Sequence, residues 1–327
     1  MLVLSLSGCS ALPAESDRVE TSSLSTSHIQ ESSEGQPDAE HEQAPSVQGE
    51  ELDAASVMED TATYTVYDLA FERDGMQIYG NLYLPKSEDE QYPTVIIGHG
   101  FGSSYSYMAP YAATLAENGI ASYVFDFCGG SPDSRSDGDS LQMSVLTERE
   151  DMEAVLEGIQ AYRFVDRENI FLMGESQGGL VAALLAASRS ENVRGLALLY
   201  PALVIPDDAR ERYADESDIP ETAQVFGTPV GRVYFTDILQ MDVYDEIGNF
   251  DKNVLIVHGS DDSIVPISYS ERAVEVYPSA ELIVMDGAGH GFYGVDRENA
   301  AMDIVGFLQQ NTLQSTDEAT EGGGETP

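Results

Sequence analysis

The sequence predicts an α/β fold: a mostly parallel, twisted sheet with helices on both faces, an antiparallel hairpin at its entry and an inserted cap. Three observations predict it. Short continuous apolar runs recur at 94–98, 121–127, 170–174, 195–200, 254–258 and 282–285, and strands apolar on both faces belong to parallel sheets covered by helices. Helical periodicity alternates with those runs, the pattern of a doubly wound sheet. The stretch 201–250 lies between two of the runs and is too long for a simple crossover.

Each element follows from its residues. From Tyr64 to Phe71 the chain alternates, stops at Asp74-Gly75 and resumes from Met76 to Leu84. An Asp-Gly between two such runs predicts a hairpin. Met152, Val155, Leu156 and Ile159 fall at helical spacing, as do Ala301, Ile304, Val305 and Leu308. Leu180, Val181, Leu184 and Leu185 sit among alanines, so that helix is expected to be buried on most sides. The stretch 201–250 has a polar part (206–222) and an aromatic part (225–244), which predicts a cap over the sheet edge.

Charge divides the chain further. Its 327 residues carry 58 acidic and 15 basic side chains, a net charge of −43. That balance excludes binding to nucleic acid through phosphate contacts, which needs surplus Lys and Arg, and docking on anionic lipid through a basic face. Residues 10–62 hold thirteen acidic residues opposed only by Arg18, with few large apolar residues. Such a segment cannot bury enough surface to offset its ordering entropy, and reads as a disordered acidic linker. The tail 314–327 reads the same way, which leaves 63–313 as the folded domain and about −27 of the charge on it. An acidic surface predicts a preference for neutral substrates over polyanions, although an acidic, Lys-poor chain also suits a high-salt habitat.

The catalytic signal is Gly174-Glu175-Ser176-Gln177-Gly178-Gly179, directly after one apolar run and before the alanine-rich helix. A Gly-x-Ser-x-Gly turn between strand and helix lifts the serine hydroxyl above the sheet. The helix start also aims unpaired N–H groups at any anion formed there. His99-Gly100-Phe101-Gly102 follows an earlier run, and the N–H groups of Phe101 and Gln177 are the natural oxyanion donors. His258-Gly259-Ser260-Asp261-Asp262 closes a later run, and His290 lies within Gly287-Ala288-Gly289-His290-Gly291-Phe292 after the last. Ser176 is the expected nucleophile, His290 its base and Asp262 the acid that orients the imidazole, with Asp261 the competing acid. His99 and His258 are expected to be structural, and Cys128 a small buried apolar residue. No His or Cys pair sits at metal-ligand spacing, so neither metal nor other cofactor is expected. Tyr105, Tyr234 and Phe235 are candidate substrate-binding residues, with Tyr107, Tyr111 and Val233 as further candidate walls.

On these motifs, on Phe125-Asp126-Phe127 with the Gly/Ser/Asp loop to Gly138, and on the cap, the chain from about Tyr64 to Leu313 resembles α/β-hydrolase-fold serine esterases, and within them bacterial cinnamoyl and feruloyl esterases. The resemblance implies hydrolysis of carboxylic esters, small or glycan-linked, through an acyl-enzyme. In that group the cap roofs the cleft and contacts the phenolic ring; the polar segment Asp207–Tyr213 here departs from any pattern that would carry this over. A general short-chain carboxyl- or acetylesterase, a prolyl-oligopeptidase-like peptidase and a non-catalytic surface protein are the alternatives. The start, MLVLSLSGCS, resembles a bacterial lipoprotein signal with Cys9 as the lipidation site, without the usual basic residues and with a short apolar run. It implies export and anchoring on the outer face of the membrane through lipid at Cys9 alone, since no other segment is long enough to span a bilayer.

Overall fold

The computed structural model describes residues 49–87 and 89–314. The expectations for Cys9, for most of the acidic linker and for the tail from 315 onward fall outside those residues. Along the described chain the strands are β1 (Val57–Asp60), β2 (Tyr64–Arg73), β3 (Met76–Pro85), β4 (Tyr92–Gly98), β5 (Ala121–Phe125), β6 (Val165–Glu175), β7 (Gly195–Leu199), β8 (Thr222–Val225), β9 (Thr228–Gly231), β10 (Asn253–Gly259) and β11 (Ala280–Met285). The helices are α1 (Tyr105–Glu117), α2 (Val145–Ile159), α3 (Ser176–Ser188), α4 (Ile205–Arg212), α5 (Val233–Thr236), α6 (Val243–Ile247), α7 (Ser268–Val276) and α8 (Val295–Asn311).

Nine strands form one sheet in the order β1-β2-β3-β5-β4-β6-β7-β10-β11. The β2–β3 hairpin turns at Asp74-Gly75, with φ of 52° and 82°, as the Asp-Gly predicts. From β5 through β11 every pairing in the sheet is parallel. Side chains alternate across it: Ile96 joins Val155, Leu180 and Leu184 on one face, while Val95 and Ile97 join Met108, Leu115, Ile304 and Leu308 on the other. The apolar residues expected on α2, α3 and α8 are all buried.

One boundary differs from the sequence reading. The linker was expected to run to residue 62, yet β1 pairs antiparallel with β2 and Glu50 bridges to Tyr162. All four β1 residues, the apolar Val57 and Met58 included, are exposed, so this strand buries no face whose pattern would mark it in the sequence. The cap falls where expected, between β7 and β10. It is built of α4, the β8–β9 hairpin, α5 and α6, and Tyr234, Phe235, Ile238 and Ile247 fasten it to the core on the α2–α3 face.

Candidate active site

The site is built around the junction of β6 and α3. Ser176 is the first residue of α3 and has φ of +49°, a left-handed conformation that turns the chain sharply. The turn needs the flanking glycines. A Cβ on Gly174 would lie 2.1 Å from the Gly178 carbonyl oxygen, and one on Gly178 would lie 2.4 Å from that of His99.

The structure brings together the three residues expected to carry the chemistry. Ser176 Oγ lies 3.0 Å from His290 Nε2, and His290 Nδ1 lies 2.7 Å from Asp262 Oδ2. The imidazole is 21% exposed and the carboxylate fully buried. Burial pushes the Asp262 carboxyl up. Hydrogen bonds from His258, His290 and the N–H groups of Val265 and Ile264 outweigh it, and hold the group well below the usual carboxylate range. Asp261 instead accepts from Ser260 on an exposed loop, and it is Asp262 that meets His290. His258 is more than packing: its Nε2 lies 3.2 Å from Asp262 Oδ2 and 3.0 Å from the Val265 carbonyl, and Nδ1 lies 2.7 Å from Ser270 Oγ. A proton on Nε2, with Ser270 donating to Nδ1, satisfies all three contacts. His99 is structural, as expected: Nδ1–H donates to the Gly100 carbonyl and Nε2 accepts from Phe127 N–H.

Beside Ser176 lies a mainly apolar cavity of about 270 Å³. Phe101 and Gln177 border it, and among the described residues neither N–H has a protein acceptor. Tyr234 and Phe235 line it as expected, together with Ala202, Val204, Ile205, Val225, Phe226, Ile264 and Val265. Tyr105 does not. Its N–H donates to Asp126 Oδ1 at the start of α1, and its ring meets Tyr79 of the entry hairpin. Tyr107 bonds to the Phe292 carbonyl and Tyr111 is buried in the core on the α1–α8 face. Val233 is not among the lining residues. Asp208 and Arg212 of α4 stand one turn apart at the cavity, with the Arg212 guanidinium 5.3 Å from the Phe235 ring and donating to the Gln224 carbonyl. Cys128 is buried, as expected. A larger crevice of about 1010 Å³, beside Glu50, Tyr162 and Arg167, opens near the start of β6, away from Ser176. Among the described residues no group of three His, Cys, Asp or Glu is placed to hold a metal ion, and no helix is long and apolar enough to cross a membrane.

Sequence reasoning missed two buried carboxyl groups near Ser176, those of Glu175 and Glu148. Glu148 Oε2 accepts from Gln177 Nε2, and Tyr234 OH donates to Gln177 Oε1, both at 2.8 Å. The cap is thereby tied to α3 and α2 through one side chain. A second tie runs from Ser144 Oγ, at the N-cap of α2, to Asp237 Oδ2. Glu in an otherwise periodic helix gave no sequence signal, because only the fold turns it inward.

Residues 89–234 match a protein-family model described as serine aminopeptidase, S33, and residues 239–320 match one described as TAP-like protein. Est1E from Butyrivibrio proteoclasticus, solved with ferulic acid bound, superposes with a TM-score of 0.69 at 27% identity, over 74% of this chain and 98% of that one. An uncharacterized protein of Mycobacterium tuberculosis is 27% identical over 228 residues, which are 67% of this chain and 69% of that protein. The non-heme chloroperoxidase CPO-A1 of Kitasatospora aureofaciens is 38% identical over 72 residues, 21% of this chain. The match spans only 26% of that chloroperoxidase. The chain has the α/β-hydrolase fold.

Burial pushes the Glu148 carboxyl up to about 8, Asp151 adds to the rise, and the Gln177 hydrogen bond opposes it. The folded protein therefore keeps this proton between about pH 4.5 and 8, where the unfolded chain has released it, and stability falls as pH rises through that window. Glu148→Gln removes the proton and keeps an acceptor for Gln177. Urea unfolding at pH 5 and pH 8 is expected to show the stability difference, wild type minus variant, falling on the order of 3 kcal/mol with pH. An unchanged difference would show that Glu148 titrates normally.

Proposed function

We propose that this chain is a serine hydrolase of carboxylic esters that works through an acyl-enzyme. The observation that carries the reading is the continuous Ser176–His290–Asp262 hydrogen-bond chain at 3.0 and 2.7 Å, opening onto an apolar cavity. Ser176 Oγ attacks the ester carbonyl while His290 Nε2 takes its proton, and Asp262 holds the imidazolium that forms. The Phe101 and Gln177 N–H groups receive the oxyanion. His290 then gives the proton to the leaving alcohol, and water repeats the sequence to release the acid.

For the acyl group we propose a cinnamoyl- or feruloyl-type ring. The likeness to Est1E with ferulic acid bound supports it, and so does the cavity's aromatic wall. Phe101 lies 5.7 Å from Tyr234 and 6.3 Å from Phe226, ring centroid to centroid. Phe226 is an unusual residue for its place. With Gly227 it forms the two-residue β8–β9 turn, both at positive φ (48° and 86°), and the residue is 78% exposed. Such a turn favours Asn-Gly, and a left-handed aromatic residue costs about 1–2 kcal/mol. The strain places an aromatic ring at the cavity mouth. Acyl-chain esterases without aromatic preference are the alternative. The aminopeptidase reading draws on the family description and on Asp208, a carboxylate at the cavity that could receive a substrate's amino group.

A panel of methyl ferulate, aryl acetates, longer alkyl esters and aminoacyl arylamides tests these readings together. The wild type is expected to turn over esters, with methyl ferulate favoured, and Ser176→Ala to lose at least about a thousandfold in kcat/KM. Phe226→Asn is expected to raise stability by about 1 kcal/mol while lowering the ferulate-to-acetate selectivity about tenfold. Arylamide turnover exceeding ester turnover would favour the peptidase, and unchanged selectivity in Phe226→Asn would remove that ring from substrate binding.

The lipid attachment at Cys9 is likewise a proposal, supported by the Leu6-Ser7-Gly8-Cys9 sequence. When the chain is expressed with its natural start, Cys9→Ser should move it from the detergent phase to the aqueous phase of a Triton X-114 partition. Wild-type protein found in the aqueous phase would contradict the anchor.

A further inference from the structure

Glu175 takes no part in the chemistry above, yet its carboxyl group is buried directly beside the nucleophile, with the residue only 4% exposed. Its two oxygens hold two different walls of the site. Oε1 accepts the Gly100 N–H at 3.1 Å, and Oε2 accepts the Tyr200 O–H at 2.6 Å. The first bond fixes the loop that carries the Phe101 N–H. That loop packs tightly at this point: a Cβ on Gly100 would lie 3.2 Å from Ser176 Cβ and 3.4 Å from Glu175 Oε1. The second bond fixes a ring that touches the base. Tyr200 meets the His290 imidazole edge-on, with centroids 4.8 Å apart and planes at 62°.

Tyr200 reaches this position under strain. Directly after β7 its N–H donates to the Val257 carbonyl, and its φ is +37°, a conformation that L residues with a Cβ avoid. Strain of this kind persists where the surroundings over-determine it. Here the surroundings are a short hydrogen bond to a buried carboxyl, Phe292 packed edge-on at 4.8 Å, and the imidazole itself. The ionisable groups facing Glu175 are Tyr107 and Tyr111 from α1, Tyr200, and His290 with Asp262 behind it.

We infer that Glu175 and Tyr200 form a positioning pair that holds the Phe101 loop and the His290 ring in register about Ser176. Neither residue is among those lining the cavity, so the pair acts through those two neighbours. The requirement is geometric. A glutamine at 175 can accept from Gly100 N–H with its oxygen and donate to the Tyr200 hydroxyl, which is also an acceptor. An alanine can do neither. A phenylalanine at 200 keeps the ring against His290 and loses only the fastening.

The inference rests on the ester-hydrolase reading for its substrates alone. Competent sites are counted with a fluorophosphonate, and kcat and KM are measured on a small aryl acetate, together with the Ki of a methyl trifluoromethyl ketone that forms a tetrahedral adduct. Glu175→Ala and Tyr200→Phe are each expected to lower kcat per competent site about ten- to a hundredfold, with KM within about twofold and the ketone weakened in parallel. The double variant should be little worse than either single one, because the two residues act as one unit. Glu175→Gln should retain kcat within about threefold. Folded variants with a lower melting temperature and unchanged kcat would overturn the inference, as would additive losses or a glutamine variant as impaired as the alanine. The rate of Ser176 phosphonylation reads the same geometry without an ester, so failure of the ester reading leaves the positioning test intact.

Discussion

A strand that ends and a helix that begins at adjacent residues require a left-handed backbone between them. Ser176 adopts it because Gly174 and Gly178 leave space where side chains would collide with carbonyl oxygens. From that bend three consecutive side chains diverge. Glu175 reaches the Phe101 loop and Tyr200, Ser176 meets His290, and Gln177 joins α2 and the cap. The Gly100–Phe101 loop, His290 and the cap tyrosine Tyr234 make these contacts from positions 57 to 114 residues away from the bend. One distorted residue therefore sets the reference frame for the whole site. A substitution that relaxed the bend would disturb all three connections together.

Much of the fold was legible because burial on both sheet faces leaves continuous apolar runs, and because helices packed on that sheet keep their apolar spacing. Strand β1 was illegible for the opposite reason: all its residues are exposed, and backbone pairing with β2, together with Thr65 and Lys86 on the Asp60 carboxylate, places it. The β8–β9 hairpin was likewise hidden. Thr222–Val225 and Thr228–Gly231 are short, and a Phe-Gly turn does not announce the left-handed geometry that Asn-Gly would.

Ser176, Asp262 and His290 were legible as a group because each lies in a glycine-containing segment that follows an apolar run. Sequence proximity misled for Tyr105, which lies four residues after Phe101 but whose ring packs on the entry hairpin. Glu148 and Glu175 were invisible as buried groups. A carboxyl group looks like surface in a sequence, and only the partners Gln177, Gly100 and Tyr200 make burial tolerable. Phe226 and Ile264 would have read as ordinary apolar residues, although exposure at the cavity mouth gives them a place in the site.

The proposed acyl-enzyme is the point at which this chemistry is most directly tested. Wild-type protein mixed with an activated aryl ester, quenched in acid during the burst and digested for mass spectrometry, should carry the acyl group on the peptide containing Ser176, at a stoichiometry approaching one per chain. Turnover of the ester with that peptide unmodified at every quench time, or with the acyl group on another residue, would contradict an acyl-enzyme at Ser176.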